Sequence, residues 1–182
     1  MKIKKRWVAG ALLAFGSLVF LAAQSSAQVA NGKRFEFSTS ASVWNMEWKG
    51  GATQTIINLP VRFGFYAYKG LEFEPELFLT VLDETDHTGF MAFGNIAFNL
   101  PLSPNFLGFL LGGVGVGNGL QTSNMAIDQD QGVFGFNFGT GLKGMIGNSA
   151  ALRIEYRVIS YSMEGDHLRT DQNILVGVSI FF

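Results

Sequence analysis

Along most of the chain, apolar and polar side chains change places at every step. From Thr55, the residues Ile57, Leu59, Val61, Phe63, Phe65 and Ala67 share one parity, and Asn58, Pro60, Arg62, Gly64, Tyr66 and Tyr68 share the other. After Lys69-Gly70, Leu71, Phe73, Pro75, Leu77, Leu79 and Val81 alternate with Glu72, Glu74, Glu76, Phe78 and Thr80. The same division runs through Phe134, Phe136, Phe138, Thr140 and Leu142, through Leu152, Ile154, Tyr156 and Val158, and through Ile174, Val176, Val178, Ile180 and Phe182. Successive side chains of a strand point to opposite sides of its sheet, so a period of two predicts strands with one greasy face and one polar face.

Turn-forming residues divide the pattern into eight segments, over residues 34–48, 54–68, 71–82, 89–100, 106–118, 132–146, 151–163 and 171–182. Strands of about 12 to 15 residues, rising about 3.3 Å per residue and tilted about 45°, cross roughly 28 to 35 Å. That exceeds the apolar band of an outer-membrane barrel, about 25 Å, whereas strands of soluble proteins usually run to about 5–6 residues. The predicted fold is all-β: an eight-stranded antiparallel up-and-down transmembrane β-barrel with its apolar face toward lipid. A soluble lipocalin-type barrel has the same strand number but turns the apolar face inward and would leave the membrane without detergent.

The connections at 69–70, 101–105 and 147–150 are compact, and the one at 49–53 is also short. Those at 83–88, 120–131 and 164–170 are longer and carry Asp83, Glu84, Asp86, Asp128, Asp130, Glu164 and Asp166. An even strand number leaves both termini in the periplasm, with the compact turns, and puts the acidic loops outside. Aromatic residues gather near both strand ends, as two interfacial girdles require: Phe35, Phe37, Tyr66, Tyr68, Phe98, Phe106 and Phe182 at the inner end, Trp44, Trp48, Phe90, Phe134 and Tyr161 at the outer. In the first segment Phe35, Phe37 and Val43 have one parity and Trp44, Met46 and Trp48 the other, which a bulge near Ser42 or Val43 would reconcile. The segment at 108–119, with Gly112, Gly113, Gly115 and Gly117, has no clearly polar face and is assigned as a strand by elimination.

The N-terminus reads as an export signal. Lys2, Lys4, Lys5 and Arg6 precede an uncharged stretch from Trp7 to Ala23, and Ser25 and Ala27 supply small residues for cleavage before Gln28. The expected organisation is therefore a signal peptide over 1–27 and a barrel domain over 28–182. Loss of the basic leader makes the remaining chain more acidic than the formal net charge of −1, which argues against a nucleic-acid partner. With no cysteine, the exported chain depends on packing and hydrogen bonds, and thiolate metal sites and cysteine nucleophiles are excluded.

Two stretches carry a family resemblance. The run Phe136-Asn137-Phe138-Gly139-Thr140-Gly141-Leu142-Lys143, a short turn, and Ala151-Leu152-Arg153-Ile154-Glu155-Tyr156-Arg157 resemble the sixth and seventh strands of outer-membrane β-barrel proteins such as the OmpA transmembrane domain and OmpX-type proteins. The C-terminus, with Gly177, Ile180 and a terminal aromatic Phe182, resembles the signal read by the barrel assembly machinery, although Leu175 stands where a polar residue is usual. The resemblance implies a bacterial outer-membrane location after export through the periplasm and says little about activity.

With the apolar parity outward, the inward set holds Arg62, Lys143, Arg153 and Arg157 with Glu36, Glu72, Glu74, Glu76 and Glu155. An eight-stranded interior is just wide enough for side chains, so these charges are expected to form an ionic plug rather than line a pore. Three other signals have plainer readings. Gly139, Gly141 and Gly144 have the spacing of a dinucleotide fingerprint but lie within one alternating strand, without the helix N-terminus that would hold a pyrophosphate. The pairs Asp86-His87 and Asp166-His167 resemble the rim residues of outer-membrane proteases, but polar loop tips contain Asp and His by composition, and no His-x-Ser signature of a barrel lipase accompanies them. Asp128 and Asp130 lack the full oxygen set of a calcium loop. The sequence therefore points to a non-enzymatic membrane barrel without cofactor, expected as a monomer in contact with outer-membrane lipid and lipopolysaccharide. A narrow channel for ions or small solutes and a rim hydrolase are the alternatives.

Overall fold

The computed structural model describes residues 32–47, 53–68, 70–82, 88–118, 132–163 and 167–182. The expected signal peptide, Trp48, His87 and the acidic loop residues Asp83, Glu84, Asp86, Asp128, Asp130, Glu164 and Asp166 lie outside these residues. Eight strands follow one another: β1 (Phe35–Glu47), β2 (Thr53–Tyr68), β3 (Leu71–Leu82), β4 (Thr88–Ser103), β5 (Phe106–Asn118), β6 (Gly132–Ile146), β7 (Ala150–Met163) and β8 (His167–Phe181). Each pairs antiparallel with its neighbours in sequence, and β1 meets β8 to close the barrel.

Closure carries a fixed stagger. Stepping from Val178 through its paired residues Thr39, Val61, Leu77, Ala92, Val116, Phe134 and Ser162 returns to β8 at Leu168, ten residues from the start. A stagger of this kind requires strands inclined to the barrel axis, typically by about 35–45°. The strands, 12 to 16 residues long, are then long enough to cross an outer membrane.

Burial alternates as the sequence pattern predicts, with polar parity inside. In β4 the even-numbered residues from Thr88 to Ile96 are exposed and the odd-numbered ones from Gly89 to Ala97 are buried, and β6 repeats this from Gly132 to Thr140. The outward set includes Phe37, Leu77, Phe136, Ile154 and Val178, all exposed, while Glu74 and Arg153 are buried on the axis. In water such a surface would be a large apolar liability; in a bilayer it is the matching solvent.

Two expectations about the strands are corrected. The register between β1 and β2 runs without a shift from Phe35↔Phe65 to Glu47↔Thr53, so no bulge interrupts it at Ser42 or Val43. Register shifts fall instead at Tyr66/Tyr68, before the β2–β3 turn, and at Pro101/Ser103, where β4 runs on past residue 100 and proline cannot donate to the ladder. The acidic connection expected over 164–170 is tighter, because β8 begins at His167, which pairs with Met163.

The glycine-rich segment at 106–118 is a full strand, and the structure explains its missing polarity. Its inward residues are Leu107, Phe109 and Leu111, followed by Gly113, Gly115 and Gly117. A Cβ on Gly113 would collide with Asn95 Oδ1, one on Gly115 with the Phe93 ring, and one on Gly117 with Met91 Sδ. Large inward residues of β4 thus lie across the bare backbone of β5.

At the β2–β3 turn Gly70 has φ of 85°, a conformation that favours glycine, and a Cβ there would strike Asn99 O. The space is used by Asn99, whose backbone N–H donates to Gly70 O at 2.8 Å.

Candidate functional site

The interior is the part of the molecule with chemistry in it. On β7 the inward side chains, read from the barrel end that holds the C-terminus, are Ala151, Arg153, Glu155, Arg157, Ile159 and Tyr161. They sample three layers of the lumen. Ala151 packs with Phe181, Tyr66 and Met145 at the inner end, and Ile159 and Tyr161 join Phe78, Met91, Phe93, Val133 and Leu175 toward the outer end. Between these apolar layers lies the ionic one.

All nine residues expected inside are buried: Glu36, Arg62, Glu72, Glu74, Glu76, Lys143, Arg153, Glu155 and Arg157. Their links cross the lumen as well as following the wall. Strands β3 and β7 are diametrically opposite in an eight-stranded ring. Arg153 Nη1 donates to Glu74 Oε1 at 2.7 Å and Nη2 donates to Glu74 Oε2 at 3.2 Å, while Arg157 Nη1 donates to both oxygens of Glu76. Glu155 lies between the two arginines on their own strand, accepting from Arg153 Nε at 3.0 Å and from Arg157 Nε. Arg62 on β2 approaches Glu76 and Glu155 at 3.3 and 3.4 Å and donates to Ser40 Oγ.

The inner part of the network is centred on an ammonium group. Lys143 Nζ lies 2.6 Å from Glu36 Oε2, 3.2 Å from Glu72 Oε2 and 4.0 Å from Glu74 Oε1. The carboxylates of Glu36, Glu72 and Glu74 converge closely enough to hold a metal ion, their ligand atoms lying within 4.8 Å of one another. Here the cation among them is the lysine itself. Tyr66 OH donates to Glu36 Oε2 at 2.5 Å, and the Phe109 ring lies beneath Arg153, 4.3 Å from the guanidinium carbon.

Asparagines, on which the sequence reading placed no weight, extend the network sideways. Asn137 on β6 donates to Asn95 Oδ1 at 2.8 Å, and Asn95 donates to Glu76 Oε2 at 2.6 Å. Asn95 reaches β6 across β5 because Gly113 leaves the way clear. Asn99 donates to Glu72 Oε2 at 2.8 Å. Inward parity marked these residues as lumen-facing, but alternation carries no information about which of them meet.

The girdle assignment needs two corrections. Tyr66 and Tyr161 point into the lumen, Tyr66 to Glu36 and Lys143 and Tyr161 into the outer apolar cluster. Each has the parity of the charged set, and a phenol can end in a buried hydrogen bond as readily as at an interface. Phe35, Phe37, Tyr68, Phe90, Phe106, Phe134 and Phe182 are exposed on the outer surface and Phe98 is half-buried there. The side chains of Trp44 and Trp48 lie outside the described residues. At the inner end, Phe35, Phe63, Phe65 and Phe182 form one ring cluster with centroids 4.8 to 6.0 Å apart, spanning β1, β2 and the C-terminus.

The C-terminal residues take definite places. Phe182 exchanges two backbone hydrogen bonds with Phe35, both 3.0 Å, and its ring is exposed on the same face as the Ile180 side chain. Gly177 faces β1, where a Cβ would collide with Thr39 O. Leu175, the departure from the assembly signal, is fully buried and belongs to the outer apolar cluster. Gly139, Gly141 and Gly144 all lie in β6, and His167 opens β8.

A closed eight-stranded ring with an apolar exterior and a packed ionic interior defines a transmembrane β-barrel. The chain belongs to the family described as the outer membrane protein beta-barrel domain, whose model matches residues 11–182, and it resides in the bacterial outer membrane. Among solved structures it is similar to Neisserial surface protein A, with a TM-score of 0.59 at 14% identity over 81% of this chain and 96% of that one. It is also similar to a de novo designed transmembrane β-barrel, with a TM-score of 0.52 at 10% identity over 82% of this chain and 97% of that one. At such identities the likeness is one of fold. Comparison with curated proteins gives no match.

Proposed function

We propose that this protein is a non-enzymatic outer-membrane barrel with a structural or loop-mediated interaction role, and that its interior is a plug rather than a passage. The observation that carries this reading is the pair of cross-lumen bridges, Arg153 to Glu74 and Arg157 to Glu76, whose side chains are wholly buried. An ion moving along the axis would have to displace charges that are already neutralised by one another in a low-dielectric interior. The bulky apolar side chains on either side of the ionic layer, among them Phe181 on one and Phe78, Met91 and Phe93 on the other, add a second obstacle by filling the lumen. In this reading the outer surface contacts lipid and, in the outer leaflet, lipopolysaccharide, and the barrel works as a monomer. Gly177, Ile180 and Phe182, placed at the seam where the last strand meets the first, fit the role of a signal for the barrel assembly machinery.

The test is electrical. Purified protein reconstituted in planar bilayers is expected to give no discrete conductance steps. Reproducible steps from the wild-type protein would overturn the plugged reading in favour of a narrow channel. Lipid or peptide hydrolysis lost on replacing His87 or His167 would overturn the non-enzymatic one.

A further inference from the structure

Seven of the eight strand pairs are joined by a hairpin connection. The eighth, β1 with β8, is the one closure that no turn supports, and it is also the least complete. Its pairing runs from the Phe35–Phe182 backbone hydrogen bonds through Glu36↔Phe181 to Ala41↔Val176 and, among the described residues, goes no further toward the outer end. Beyond it β1 remains paired with β2 as far as Glu47, and β8 remains paired with β7 back to His167. The outer half of the seam therefore sets two strand edges side by side without a backbone ladder between them. Unpaired edges are costly next to hydrocarbon, so something else must hold them.

Side chains supply the connection where the ladder stops. Ser42 is the first inward residue past Ala41, and its partner on β2 is Asn58. The Asn58 amide nitrogen donates to Ser42 Oγ at 3.2 Å and to Asn173 Oδ1 on β8 at 2.9 Å, so it reaches across β1 to tie β2 to β8. Thr80 Oγ1 on β3 donates to Asn58 Oδ1 at 2.8 Å, so the same amide also links β2 to β3. All four residues are buried. We propose that the β1–β8 seam is a lateral opening in the outer half of the barrel wall, and that the Asn58–Asn173 hydrogen bond is the latch that sets its width.

The absence of native cysteine makes the test direct. Nitroxide labels would be attached to cysteines at Thr39 and Val178, a paired position within the ladder, and in a second protein at Val43 and Ile174, where the same register would continue. In bilayers the first pair is expected to show strong short-range dipolar broadening and the second a longer, resolved separation. Removing the latch by N58D, which keeps the shape but loses the donor, or by N173A is expected to lengthen and broaden the Val43–Ile174 distribution while leaving Thr39–Val178 unchanged. Folding of each variant is checked by heat-modifiable gel mobility. The proposal is overturned if the two labelled pairs are equally close, or if folded N58D and N173A both leave the Val43–Ile174 distribution as it was.

Discussion

Arg153 and Glu74 face each other from opposite walls of the barrel and join through two hydrogen bonds, at 2.7 and 3.2 Å. Arg153 also serves Glu155 at 3.0 Å and lies 3.5 Å from Glu36. One guanidinium thus holds carboxylates of β1, β3 and β7, and its loss leaves them buried without that partner.

Replacing Arg153 with Ala is therefore expected to destabilise the folded barrel by about 3–5 kcal/mol, the usual cost of breaking a buried pair from one side. The double replacement of Arg153 by Met and Glu74 by Leu is expected to cost less than the single one, because it removes both charges of the bridge. Urea unfolding midpoints in detergent micelles compare the two. A double variant less stable than R153A would show that packing, rather than charge, governs the site.

Tyr66 makes a smaller contribution to the same layer. Its hydroxyl lies 2.5 Å from Glu36 Oε2 and 3.2 Å from Lys143 Nζ. Tyr66→Phe removes the hydroxyl and keeps the ring, leaving Glu36 short of one donor in a buried place. The expected loss is about 1–3 kcal/mol, read from the same unfolding curves. A neutral result would return Tyr66 to an interfacial role.

Inward and outward glycines are expected to respond differently to one added methyl. At Gly141 a Cβ would collide with Ile154 O and stand 2.6 Å from Phe109 Cζ, whereas at Gly112, on the lipid side, its nearest neighbour would be 3.8 Å away. Gly141→Ala is expected to cost about 1–3 kcal/mol through overpacking, and Gly112→Ala less than about 0.5 kcal/mol, as for a surface position. Refolding yield and unfolding midpoint of the two variants decide the matter.

Depth in the membrane makes the outward positions unequal. Leu77 lies in the middle of β3 and Leu71 at its inner end, and both are exposed. Leu77→Arg is expected to cost about 2–4 kcal/mol in a bilayer and Leu71→Arg about 0–1 kcal/mol, since a charge near the interface finds water. Equal costs, measured by folding into phospholipid vesicles, would contradict the assigned lipid band.

The sequence by itself determined the strand number, most strand boundaries and the sense of the barrel wall. Those follow from local chemistry: alternation is a property of consecutive residues, and Glu72-x-Glu74-x-Glu76 beside Leu71, Phe73 and Leu77 leaves only one face that hydrocarbon can accept. Tertiary structure decided what local order cannot encode. Tyr66 and Tyr161 had the spacing of girdle residues, yet closure put each within a lumen whose other walls come from distant strands. The pairing of Arg153 with Glu74, the bridge of Asn58 to Asn173 and the end of the β1–β8 ladder at Ala41 depend on the ten-residue stagger with which the sheet meets itself. Parity is written along one strand; partners across a closed ring are set by all eight at once.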